Sequence, residues 1–248
     1  MCSIDDAVRQ LRQGPAHLAH FDFENALLVG IRAGWDAFQT DGDRHTQLQE
    51  TLRNLAVRLK PFWAKVSFYG RQRTARVLTE DQVQCLQFAG LLDHPPSKNV
   101  IAWWDDLGST FRAFRDDQRI AVGREGERRT LEHERKRLRK LGVGKEPIWV
   151  SIEDNGAGFD VLSYDPKADG GLEELQIEVK AASYSPLHFT LTRNEWTVAA
   201  RSCERHLFHI WNLDTGDLTT LTVLEMESHI PVDRGKGTWG EVTVNLKT

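Results

Sequence analysis

The sequence predicts an α+β protein, with an N-terminal helical region over about residues 1–118 and an α/β domain over 119–248 whose mixed sheet is flanked by helices. Three observations carry that division. Apolar residues recur at helical spacing up to about residue 142, and beyond about 147 they fall into short runs rich in Val, Ile, Thr and aromatics. Charge shifts along the chain too: residues 1–118 hold 14 Lys and Arg against 15 Asp and Glu, residues 119–145 hold 10 against 4, and residues 146–248 hold 8 against 17. Glycines at Gly142 and Gly144 stand where the helical spacing gives out, the usual place for a helix to stop.

Along the helical region, Phe23, Leu27, Leu28, Ile31, Trp35 and Phe38 recur at three and four. Leu48, Leu52, Leu55, Leu59 and Phe62 continue as a second face through a kink at Pro61. Thr79 and Gln82 form a capping box opening a helix that runs to about Leu92, with Leu78 meeting Val83 across the first turn. Residues 97–117 read as a helix with Trp103, Trp104, Leu107, Phe111 and Phe114 on one side, an aromatic stripe that belongs in a core. A separate amphipathic helix is expected over 121–141. Strands are expected near 148–152, 159–164, 175–182, 187–191, 206–213 and 218–225, with a helix at 193–204 opened by a second capping box, Thr192 to Glu195.

The 40% hydrophobic and 27% charged content is that of a globular protein. No stretch approaches the roughly 18 uninterrupted apolar residues that span a bilayer, and the opening residues show no basic segment leading into an apolar run. A water-soluble, cytoplasmic protein with no membrane partner is expected. Cys2, Cys85 and Cys203 are an odd, scattered set without CxxC spacing, so free thiols are expected rather than disulfides or a zinc site.

One strand concentrates the chemistry. In Gln176-Ile177-Glu178-Val179-Lys180, alternation puts Ile177 and Val179 on one face and Gln176, Glu178 and Lys180 on the other. Phosphodiester hydrolysis needs carboxylates to hold a hard divalent ion, usually Mg²⁺, and a cation to orient the attacking water or offset charge on the phosphate. Glu178 and Lys180 have those chemistries. A second carboxylate, Asp160, comes from a segment that pairs with this strand as a hairpin through Asp169-Gly170-Gly171. Taken alone, alternating charge on a strand is most often the mark of a solvated face.

Gly123-Arg124-Glu125-Gly126-Glu127, Gly158-Phe159-Asp160-Val161, Ile177-Glu178-Val179-Lys180 and Phe189 to Trp196 follow one another in an order and spacing that resembles a known domain. That domain stands at the C-terminus of plant NO VEIN proteins and in many bacterial proteins. It looks like a branch of the PD-(D/E)xK, restriction-endonuclease-like superfamily related to Mrr-type enzymes. The resemblance covers about residues 120–213. It implies a restriction-endonuclease-like fold, an active-site set of Asp160, Glu178 and Lys180, and Glu127 as a third acidic ligand. Phe159 replaces the superfamily's nominal proline before the aspartate. Glu195 is left outside the catalytic set because its capping position accounts for it.

The resemblance further implies Mg²⁺, with Mn²⁺ as a substitute, a nucleic-acid substrate, DNA before RNA, and a setting in restriction or anti-phage defence. A homodimer or a defence-system partner protein fits such a setting. Arg135, Lys136, Arg137, Arg139 and Lys140 end the helix that carries Glu127, where they either complement the helix dipole or contact phosphates. The rival class is an inactive nucleic-acid-binding or assembly module of the same fold. A third reading takes Glu153 to Phe159 as the adenine-binding loop of GHKL-type ATPases, but the helix 127–140 has no Asn to bind that fold's metal. Gly235 to Gly240 fits GxGxxG but precedes a strand pattern, so it reads as a loop. His206 and His209 point to opposite strand faces and read as structural.

Overall fold

The computed structural model describes residues 9, 13–14, 22–32, 43–183, 186–233, 235 and 237–246. The chain is α+β and divides into two compact units, Met1–Asp116 and Asp117–Thr248. Among the described residues no helix is long and apolar enough to cross a membrane.

The first unit contains α1 (Phe23–Arg32), α2 (Arg44–Leu59), α3 (Phe62–Lys65), a 3-10 turn (Ser67–Tyr69), α4 (Arg71–Ala75), α5 (Glu80–Phe88) and the start of α6 (Lys98–Lys140). Trp35, Phe38 and Cys2 lie outside the described residues. Pro61 separates two helices rather than kinking one: Lys60 is left-handed at φ 47° and α3 begins after the proline. The capping box at Thr79 and Gln82 is formed. Its helix stops at Phe88, short of Leu92, because Gly90 at φ 69° turns the chain. There the Leu91 amide donates to the Leu86 carbonyl at 2.8 Å, and the Gly90 amide to Gln87 at 2.8 Å. The aromatic stripe is core: Trp103, Trp104, Leu107 and Phe111 are buried with Trp63 and Leu86. Both indole nitrogens find carbonyls at 2.9 Å, Trp103 on Gln49 and Trp104 on Leu91. Cys85 is a free, exposed thiol.

The two helices expected over 97–141 are one helix of 43 residues. Nothing between Asp117 and Ala121 breaks it, and the glycines at 123 and 126 each cost only about 1 kcal/mol relative to alanine. Gly142, at φ 71°, ends it with the same closing pair of bonds as α5: the Val143 amide to Leu138 at 2.9 Å and the Gly142 amide to Arg139 at 3.1 Å.

In the second unit, β1 (Ile148–Trp149), β2 (Val161–Pro166), β3 (Leu172–Ala182), β5 (His206–Asn212) and β6 (Leu218–Thr222) form a mixed sheet in the order β1-β2-β3-β5-β6. The β3–β5 pair is parallel and the others are antiparallel. The hairpin through Asp169-Gly170-Gly171 joins β2 to β3. Between β3 and β5 the chain makes β4 (Leu187–Thr192), which pairs with β7 (Glu241–Leu246) in a separate ribbon, and α8 (Arg193–Ser202). Two expected strands are shorter than read. The first gives way at once to α7 (Val150–Glu153), whose first two amides, of Val150 and Ser151, donate to the Asp160 carbonyl. The last gives way to α9 (Val223–Glu227), opened by a capping box of Thr222 and Glu225. Cys203, after α8, is free and exposed.

Both sheet faces are covered. Ile177 and Val179 pack with Leu131 of α6 and Trp211, while Ala182, Phe208 and Ile210 pack with Ala199 of α8. Strands buried on both sides account for the apolar runs in β3 and β5.

Candidate active site

Gly158 sits at φ 79°, and a Cβ there would stand 2.5 Å from the Val198 side chain. Only glycine fits between this bend and α8. The bend delivers Asp160 to the start of β2, where its amide donates to the Ile177 carbonyl at 3.0 Å. Continuing the β2–β3 register from Val161↔Ile177 brings Asp160 beside Glu178. The Asp160 carboxylate does not point idly outward: Oδ2 accepts the Val179 amide at 2.8 Å.

Glu178 and Lys180 share the β3 face toward α8. That face is not solvated, since Glu178 is 2% exposed. The Lys180 ammonium lies 2.8 Å from Glu178 Oε1 and 2.9 Å from Glu195 Oε2. Glu195 therefore belongs to the cluster. It caps α8 by accepting the Thr192 amide at 2.7 Å, and it also ion-pairs with the candidate lysine. Its position as third residue of α8 was visible in the sequence; what was not visible is that α8 lies over this part of β3.

Electrostatics follow from three carboxylates around one ammonium in a place poor in water. Burial pushes the Asp160 carboxyl up to about 6, with the Glu127 and Glu195 charges adding to the rise and the Val179 amide and Lys180 opposing it. Glu178 is pushed well above the carboxylate range by burial, and further by Asp160 and Glu195 against Lys180. At Lys180 burial disfavours the charge, but Glu178 and Glu195 outweigh it and hold the ammonium above its ordinary value. Glu195 also resists its burial: Lys180 and the Thr192 amide keep it below the usual range.

Glu127 stands on α6 close enough to Asp160 to influence its charge. Its Oε2 is occupied by three donors: the Arg124 guanidinium at 2.8 Å, the Trp149 indole N–H and the Ser151 hydroxyl. Gly126 lets α6 come this near. A Cβ there would be 2.8 Å from that of Ala181 on β3.

Among the described residues no group of three or more His, Cys, Asp or Glu is arranged to hold a metal ion. The donor set nonetheless suits one kind of ion. Mg²⁺ takes one or two carboxylates and completes its shell with water and substrate phosphate oxygens. Asp160, Glu178 and Glu195 against Lys180 leave a formal excess of two negative charges. Asp160 and Glu178 are the residues that would hold such an ion, and Glu127 has one oxygen, Oε2, taken by its three donors.

The cations of the basic run differ in their partners. Arg137 donates to Glu134 at 2.8 Å, to the Tyr164 carbonyl at 2.8 Å and to Asp165. Arg135 pairs with Glu146 at 3.0 Å and Lys136 with Glu132 at 3.1 Å. Arg139 and Lys140 are exposed and have no ion pair among the described residues. The Glu153–Phe159 segment is a bend, closed by Asp154 accepting the Gly156 amide at 2.7 Å and held to α8 by Asn194. His206 and His209 pair in register with Gln176 and Val179, which face opposite ways, and both are buried.

No curated protein and no solved structure matches the chain. Residues 126–223 match the family model described as Protein NO VEIN, C-terminal, and this stretch, which holds Glu127, Asp160, Glu178, Lys180 and Glu195, is what the chain has in common with that family.

Proposed function

We propose that the second unit is a Mg²⁺-dependent endonuclease of the PD-(D/E)xK kind, cleaving phosphodiester bonds in nucleic acid, with DNA as its substrate. The observation that carries this reading is the Asp160 carboxylate anchored on the Val179 amide beside Glu178, with the Lys180 ammonium on the same sheet face. Asp160 and Glu178 would hold the metal, and Mn²⁺ would be able to replace Mg²⁺. When bound there, the ion would supply Lewis-acid polarisation of the scissile phosphate and a lowered pKa for the attacking water. Lys180 offsets charge on the phosphate or orients that water. The Val179 amide fixes the Asp160 carboxylate before substrate arrives, so little reorganisation is needed at the moment of reaction. Glu127, fixed by its three donors, orders the junction of β1 and α7 and adds negative charge next to Asp160. Restriction or anti-phage defence, with a homodimer or a partner protein, is a setting that rests on family analogy alone.

A second reading, an inactive nucleic-acid-binding or assembly module, is favoured by one observation: Lys180 is already paired on both sides. Incubating the full chain with plasmid, linear DNA and RNA in Mg²⁺ or Mn²⁺ separates the two. Cleavage lost in Asp160→Ala supports the enzyme. Nucleic-acid binding without cleavage under every metal condition supports the module.

A further inference from the structure

Lys180 bridges carboxylates from two elements, Glu178 on β3 and Glu195 on α8, at 2.8 and 2.9 Å. Its side chain is 13% exposed, so little water is at hand to take over either partner's role. A divalent cation drawing Glu178 toward itself would otherwise leave a buried ammonium, repelled by that cation, without a counter-charge.

Glu195 is placed to meet that need. Its Oε2 is fixed by the Thr192 amide at 2.7 Å, independently of the lysine. Its charge exceeds what the helix requires: α5 makes the same reciprocal cap with a neutral Gln82 in the corresponding position. The charge count points the same way. With Glu195 the cluster's excess is two negative charges, matching a divalent ion, and without it the excess is one.

We infer that Glu195 is a positioning residue for Lys180, keeping the ammonium in place when a divalent cation takes Glu178. The inference rests on the metal-site reading above and assigns Glu195 no contact with metal or substrate.

The test is Mn²⁺ titration calorimetry on the full chain, comparing wild type with Glu195→Gln and repeating the pair in a Lys180→Met background. Glutamine preserves the cap but removes a charge that pairs with Lys180, so the melting temperature without metal should fall modestly while the protein stays folded. Loss of a supporting partner of this kind weakens metal binding by about tenfold or more. With Lys180 replaced, the same change should have little further effect. Equal Mn²⁺ affinity in wild type and Glu195→Gln would overturn the inference. So would an equal loss in both backgrounds, which would make Glu195 a direct ligand. No Mn²⁺ binding by the wild type would instead overturn the metal site itself, and this inference with it.

Discussion

Glu178 and Lys180 face away from the strand's apolar side, which by itself suggests that both can be replaced without harm to folding. Their burial under α8 separates them. Glu178→Gln keeps an oxygen for the Lys180 ammonium and removes a charge that burial disfavours, so it should fold as well as wild type while losing cleavage. Lys180→Ala strands the buried Glu178 carboxylate and the partly buried Glu195, and should lower stability by about 3 kcal/mol in denaturant titrations without metal. Wild-type cleavage by both folded variants would remove them from the site. His206 offers a pH test away from the site. Neither ring nitrogen has a hydrogen-bond partner, and burial pushes the imidazole down to about 4. Its folded value lies below its unfolded one, so the stability it contributes is present above pH 6.5 and lost as pH falls through about 4, a span worth about 3 kcal/mol. His206→Leu should therefore show a shallower acid loss over that window, measured by melting temperature against pH. An unchanged profile would show that protonation of His206 does not drive the acid loss.

At the scale of elements, the cations at the end of α6 differ in how firmly they are held. Arg137 is committed to Glu134, Asp165 and the Tyr164 carbonyl, and Glu134 is 1% exposed with the Ser163 hydroxyl on it at 2.6 Å. Arg137→Ala leaves that carboxylate buried with little compensation, and should cost about 3 kcal/mol or more in stability whatever it does to nucleic acid. Arg139 and Lys140 are the better test of phosphate contact. Replacing both with Ala should leave the melting temperature within a degree or two and flatten the salt dependence of nucleic-acid binding by about one unit of slope per lost contact. An unchanged slope would assign them to the helix dipole. The two capping boxes at Thr79 and Thr192 were legible because four consecutive residues define them. The third, at Thr222, carries the same Thr-x-x-Glu signal, but a run of Thr and Leu leading into it reads as continuing strand.

For the whole molecule, the boundary at Asp116 and Asp117 falls inside α6, and the aromatic residues of its first part are buried in the first unit's own core. A fragment beginning at Asp117 retains Glu127, Asp160, Glu178, Lys180 and Glu195. Its Mn²⁺ affinity, measured by calorimetry on a soluble form, should equal that of the full chain. Loss of binding in a demonstrably folded fragment would mean that the first unit completes the site, and the functional division would fail.

The sequence by itself determined the features whose causes lie within a few residues. Strand alternation put Glu178 and Lys180 on one face, Asp169-Gly170-Gly171 turned β2 onto β3 so that Asp160 came alongside, and Gly142 ended a helix. Each depends on backbone geometry between near neighbours. Tertiary structure alone decided that β5 runs parallel to β3, that α8 covers the Glu178 face, and that Glu195 consequently shares Lys180 while Glu127 is held by Trp149 and Ser151. These are contacts between segments far apart in the chain, selected by which faces bury each other. The strength of the site's electrostatics belongs with them, because the water excluded from Glu178 and Asp160 is excluded by the packing of both sheet faces.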